Sequence, residues 1–182
     1  MSDEYWDSIT LTINGPDEAH KADGSHVLIV DFGGTRTDLE VLITEELVGK
    51  GLAPLHDGYQ LRKTEVTTEF GASGAALEYV FTVLLDGSLG AVMGVAVDRL
   101  FNRPGEAPTY MDEERAVGIA RQRIALRYSV SSASLELLGH EQVDGKTVVT
   151  LKDARNARLY TVTIRARGGD LTYATEFGWR AL

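Results

Sequence analysis

The longest apolar stretch of the chain, Ala75 to Phe101 (AALEYVFTVLLDGSLGAVMGVAVDRLF), limits its folds more than any other segment. Tyr79 to Val97 is 19 residues with a single charge, Asp86. A helix of that length either crosses a bilayer or is covered on every side by protein. Glu78, Asp86 and the Asp98-Arg99 pair lie within or at the ends of the stretch, and a carboxylate near the middle of a span is costly. A buried helix over 75–101 is therefore the first expectation, and membrane contact through residues 79–97 the second. Asp86-Gly87-Ser88 marks a place where the helix can break in two.

The rest of the chain has globular composition: 182 residues, 43% hydrophobic and 25% charged. It has no cysteine, which excludes thiolate metal sites, disulfides and cysteine nucleophiles. The start, MSDEYWDS, is acidic and lacks the basic end and apolar run of a secretory signal, so a cytoplasmic location is expected. A net charge of −9 argues against nonspecific binding to nucleic acid or anionic lipid. Residues 1–104 hold 7 Lys/Arg and 17 Asp/Glu, whereas residues 105–182 hold 11 and 10. The change falls at Asn102-Arg103-Pro104-Gly105-Glu106-Ala107-Pro108, where two prolines and a glycine interrupt any helix. The expected division is an acidic unit over 1–103, a Pro/Gly linker over 104–108 and a second unit over 109–182. One continuous sheet domain with a long connection is the alternative.

Strand alternation is present at Ser8–Ile13, and His26–Phe32 is an apolar strand closed by Gly33-Gly34. Thr37–Lys50 shifts to helical spacing through Leu39, Leu42, Ile43, Leu47 and Val48, and Tyr59–Phe70 reads as a strand. Beyond the seam, Met111–Tyr128 is a helix capped by Asp112, with Glu113 and Glu114 at its start and Arg121, Arg123 and Arg127 toward its end. Leu135–Val143 and Lys146–Lys152 meet at Asp144-Gly145, a hairpin signal, and Arg158–Arg167 and Leu171–Phe177 meet at Gly168-Gly169-Asp170. The expected class is α+β: a mixed strand/helix N-terminal unit with one long apolar helix, then a helix packed on an antiparallel β-meander.

Candidate chemistry is sparse. Leu28-Ile29-Val30-Asp31-Phe32-Gly33-Gly34-Thr35-Arg36-Thr37 resembles the first phosphate loop of the sugar-kinase and actin-like ATPase superfamily. That resemblance implies Asp31 as the metal-linked acid, with Gly33, Gly34 and Thr35 cradling phosphate. The superfamily also has a second phosphate loop far downstream, and no glycine-rich counterpart follows here, so a plain Gly-Gly turn before a helix cap competes with it. Gly71-Ala72-Ser73-Gly74-Ala75 resembles a nucleophile elbow whose last glycine is replaced, with His140 as a candidate base and Asp98 or Asp112 as its orienter, though no motif links them; the competing reading makes Ser73 an N-cap. His20, His26, His56 and His140 are scattered without metal-ligand spacing, so no metal and no cofactor is expected. The three helix arginines read as a solvated face, and Tyr160, Tyr173, Phe177 and Trp179 as the packing face of the meander.

Two broader patterns point to families. The order of residues 8–103, with Asp38-Leu39-Glu40 at a helix start and LLDGSLGAVMGVAVDRLF at the end, resembles the effector-associated constant component domains of bacterial (actinobacterial) conflict systems. Residues 111–177 are similar in outline to PepSY and cystatin-like folds. The first resemblance implies a non-enzymatic adaptor that couples a sensor to an effector, and it carries over no catalytic residue. The functional expectation is thus a protein-interaction or adaptor module, a homodimer or bound to a protein partner. It would self-associate through Tyr79, Phe81, Leu85, Gly90, Met93, Gly94 and Val97. A phosphate or nucleotide site in the DFGGTRT loop and peripheral membrane association are the alternatives, and no nucleic-acid partner is expected.

Overall fold

A computed structural model describes residues 8–16, 26–32, 58–68, 74–84, 88–101, 109–167 and 172–182. They form eight strands and two α-helices, an α+β fold. The chain divides into two compact units, Met1–Pro16 with Ile29–Glu106 and Asp17–Leu28 with Ala107–Leu182. The expected linker at 104–108 and the expected helix over 37–50 lie outside the described residues.

The first unit contains β1 (Ser8–Asn14), β3 (Tyr59–Thr68), β4 (Gly74–Val83) and helix α1 (Leu89–Phe101). Strand β2 (His26–Phe32) is divided between the units at Leu28 and Ile29. β1 runs parallel to β4, and β3 pairs antiparallel on the other side of β4. Register places Ile9, Leu11 and Ile13 of β1 opposite Leu77, Tyr79 and Phe81 of β4, and all six are buried. On the reverse face Thr82 donates its hydroxyl to Asn14 Oδ1 at 2.9 Å, a cross-strand polar pair.

The long apolar helix expected over 75–101 is not formed. The stretch divides into strand β4 and the 13-residue helix α1. In β4, Leu77, Tyr79, Phe81 and Val83 are buried, Glu78 is exposed, and Val80 and Thr82 are half-buried. That is a two-residue period in a segment rich in aromatic and β-branched side chains, which fits a pleated surface better than a helix. Nor is α1 apolar all round. Val92, Met93, Ala96, Val97 and Leu100, spaced by one, three or four, form its buried face beside β1, while Gly90, Ala91, Gly94, Asp98 and Arg99 are exposed. At 1.5 Å per residue α1 is only about 20 Å long, and among the described residues no helix is long and apolar enough to cross a membrane.

Residues 109–182 hold the expected helix and antiparallel strands. Helix α2 (Glu113–Tyr128) is capped by Asp112, whose Oδ1 accepts from Arg115 N–H at 2.9 Å. Glu113 and Glu114 occupy its electropositive first turn and Arg127 its last. Ser129 closes it in the left-handed region at φ 53°. After a 3-10 turn at Ser132–Ser134 come β5 (Leu135–Val143), β6 (Lys146–Asp153), β7 (Arg158–Arg167) and β8 (Thr172–Ala181), antiparallel in chain order. Asp144 and Gly145 both have positive φ, 49° and 73°, as a two-residue turn matching strand twist requires. Helix α2 lies on one face of the meander, against β5, β6 and β7. Its Ala116, Val117, Ala120 and Ile124 form a core with Val149, Leu151, Tyr160, Val162 and Phe177. Each large apolar side chain so buried contributes about 1.5–3 kcal/mol, so this core dominates the stability of the unit.

Candidate functional site

Strand β5 is the outer strand of the second unit and pairs only with β6 among the described residues. Its register slips between Leu137 and Gly139, leaving Leu138 as the extra residue of a β-bulge. Along the strand, apolar side chains are left partly open: Leu137 is 37% exposed, Leu138 55% and Val143 41%. At the turn end Tyr110, 42% exposed, accepts a hydrogen bond from Gly145 N–H through its hydroxyl at 3.2 Å, which holds it beside Val143. Gln142 secures the same corner by donating Nε2–H to Met111 O at 3.1 Å, and Met111 N–H reaches Thr147 Oγ1 at 3.3 Å.

The surroundings of β5 are acidic. The strand (LELLGHEQV) carries Glu136 and Glu141, both exposed, and no Lys or Arg. On its helix side His140 Nδ1 lies 3.8 Å from Glu113 Oε2, next to Asp112 and Glu114. Lys146 and Lys152 stand one strand inward, opposite Val143 and Glu136. The carboxylate beside His140 is thus Glu113; Asp112, a candidate orienter from sequence, is committed to the helix cap.

A second cluster lies at the far end of α2. The Tyr128 ring is 5.4 Å from that of Tyr160 and 6.2 Å from that of Phe177. Arg158 Cζ stands 4.2 Å over the Trp179 ring, and Trp179 lies directly opposite Tyr160 across β7 and β8. Burial pushes the Tyr128 phenol up to about 12 and raises that of Tyr160, with Arg127 acting against the shift at Tyr128 and Arg158 acting against both. Asp153, fully buried at the β6–β7 turn, accepts from Arg155 N–H at 3.0 Å and from Asn156 Nδ2 at 2.7 Å.

The residues singled out by sequence are dispersed. Asp31 is half-buried on β2, whereas Gly33, Gly34, Thr35, Ser73 and Leu85 lie outside the described residues. Of the expected interface, Tyr79, Phe81, Met93 and Val97 are buried in the first unit. Gly90 and Gly94 are exposed, and a Cβ on either would meet nothing within 4 Å. Arg121, Arg123 and Arg127, expected on a solvated face, are half-buried. Tyr160, Tyr173, Phe177 and Trp179 do share one sheet face, as expected. No group of His, Asp and Glu suited to hold a metal ion occurs among the described residues. Missed from sequence were Tyr110, Leu137, Leu138, Val143 and Arg158; the only signal was the broken alternation at Leu137-Leu138-Gly139. No family model matches the chain, and neither a curated protein nor a solved structure matches it.

Proposed function

We propose that this protein is a protein-interaction module that receives an extended segment of a partner along β5. The observation that carries the reading is the gathering of exposed apolar residues. Of the eight large ones among the described residues (Leu61, Leu84, Tyr110, Leu126, Leu137, Leu138, Val143 and Leu182), four border this one strand. An outer strand offers unpaired backbone groups to a partner strand, and alternate side-chain contacts supply specificity. The bulge and the glutamates blunt the edge against indiscriminate pairing. The same glutamates favour a partner that alternates apolar residues with Lys or Arg. Self-association through the apolar segment has less support, because four of its seven expected residues are already covered by the chain's own core.

The test is a titration of isotope-labelled protein with a short extended peptide of alternating Val and Lys, followed by amide resonances. Binding along β5 shifts Glu136–Val143 first, is lost in Leu138→Asp, and fails for a Val/Glu peptide. Equal response to both peptides, or shifts away from β5, would remove the basis of the proposal.

A further inference from the structure

Strand β5 has a counterpart at the outer edge of the first unit. Strand β3 pairs with β4 on one side and with no other strand among the described residues. It is 10 residues long, against the 9 of β5. Its Leu61 is 43% exposed, so each outer strand leaves leucine open to solvent. An outer strand presents unpaired N–H and C=O groups, and a second outer strand can satisfy them.

The two strands carry opposite charge. Of β1, β2, β3 and β4, only β3 (YQLRKTEVTT) has Lys or Arg. Lys63 Nζ is 2.7 Å from Glu65 Oε1 of its own strand, so the net positive charge of β3 rests on the exposed Arg62. Strand β5 holds Glu136 and Glu141 and no Lys or Arg. An exposed leucine beside an exposed cation, as at Leu61-Arg62, is the chemistry that an acidic edge with open leucines selects.

Register shows how the strands fit. Leu61 lies opposite Phe81 and Arg62 opposite Val80, so the two residues occupy opposite faces of β3. Leu137 lies opposite the buried Leu151 and Glu136 opposite Lys152, again on opposite faces. An antiparallel pairing that sets Leu61 against Leu137 therefore sets Arg62 against Glu136. One face then carries the apolar row Phe81, Leu61, Leu137 and Leu151. The other carries Arg62, Glu136 and Lys152 in alternating sign. Cross-strand pairs of both kinds are favourable.

We infer that the partner of β5 is a second copy of this chain, which docks through its β3 with Leu61 on Leu137 and Arg62 on Glu136. The inference rests on the reading of β5 as a receiving edge and names its occupant. Because the contact joins different strands of the two copies, altering either strand breaks it, and suitably altered copies complement each other.

The test uses the full chain. Weight-average mass from sedimentation should rise with protein concentration, and amide resonances of both Tyr59–Thr68 and Leu135–Val143 should shift along the same series. Arg62→Glu and Glu136→Arg should each weaken association about tenfold, since each sets like charges opposite one another. An equimolar mixture of the two variants should recover the parent affinity to within about twofold, because opposite charges then meet at every contact between unlike copies. A protein that stays monomeric up to about 1 mM overturns the inference. So does association that leaves either strand unshifted, or that the mixture does not restore. A monomer that still binds the Val/Lys peptide along β5 sinks this inference alone and leaves the receiving edge standing; loss of the peptide response as well removes both. Should a variant unfold, the concentration series on the unaltered protein decides.

Discussion

Tyr59 and Phe81 stack face to face, ring centroids 4.8 Å apart and planes within 8°, on the neighbouring strands β3 and β4. Such a contact needs Phe81 on an extended segment, because register sets Leu61 opposite Phe81 and Val83 opposite Tyr59, a diagonal pair within reach of two aromatic rings. Phe81→Ala should lower stability by about 3–5 kcal/mol, whereas Glu78→Gln on the exposed face of β4 should change it by less than about 0.5 kcal/mol. Urea unfolding of the two variants checks the alternation; similar losses at both positions would contradict β4 as a strand with one buried face.

The Asp112 cap lies outside the core, so its contribution can be read nearly alone. Asp112→Ala should cost about 1 kcal/mol and Asp112→Ser much less. Amide exchange in the first turn of α2, Glu113 to Ala116, should quicken in the alanine variant only. An alanine variant as stable as the parent would mean that the Arg115 N–H bond contributes nothing.

Ser129 and Ala157 both hold left-handed backbone, at φ 53° and 50°. Glycine adopts this region without a Cβ penalty, and the gain must exceed its greater unfolded-chain entropy. Ser129→Gly, at the C-terminus of α2, should be stabilising by up to about 1 kcal/mol. Ala157→Val should be destabilising by at least about 1 kcal/mol, since a β-branched side chain fits that region worst. Thermal melts of both variants decide, and a stabilised valine variant would refute the assigned turn.

The phenol of Tyr128 is pushed up to about 12, chiefly by burial, with Arg127 and Arg158 opposing and Tyr160 adding to the shift. Its folded value lies above the ordinary value of 10.0, so the folded protein holds this proton more tightly than the unfolded chain does. The associated stability is fully present below pH 10 and is lost as pH rises through 12. Tm should therefore fall more steeply over that window in the parent than in Tyr128→Phe. Phenolate absorbance compared between the two should show one midpoint above the ordinary 10.0 that is missing in Tyr128→Phe. Parallel Tm curves would count against burial of this ring.

Much of the second unit was legible because its signals are local. Asp112 before an apolar period, Asp144-Gly145 between two alternating runs, and the aromatic face of β7 and β8 each act through neighbours in sequence. The stretch 75–101 was misread for a physical reason. Hydrophobicity reports burial rather than backbone geometry, and a strand covered closely on one face with half-buried residues on the other resembles a buried helix. The alternation of Leu77, Tyr79, Phe81 and Val83 with Glu78, Val80 and Thr82 was present, but Val80 blurred it.

By itself the sequence determined the α+β class, the positions of most strands, the cap of α2 and the hairpin turn, all of which depend on interactions within a few residues. Only tertiary structure decided that Ala75–Phe101 becomes a strand and a short helix, since that choice rests on pairing of β4 with the neighbouring β3 and also with β1, some sixty residues earlier in the chain. It alone decided that β5 is an outer strand with a bulge at Leu138 and leucines left partly exposed. It alone also brought Tyr128, Arg158, Tyr160 and Trp179 together, because cross-strand register and the placement of α2 on the meander are set by long-range packing that no local pattern encodes.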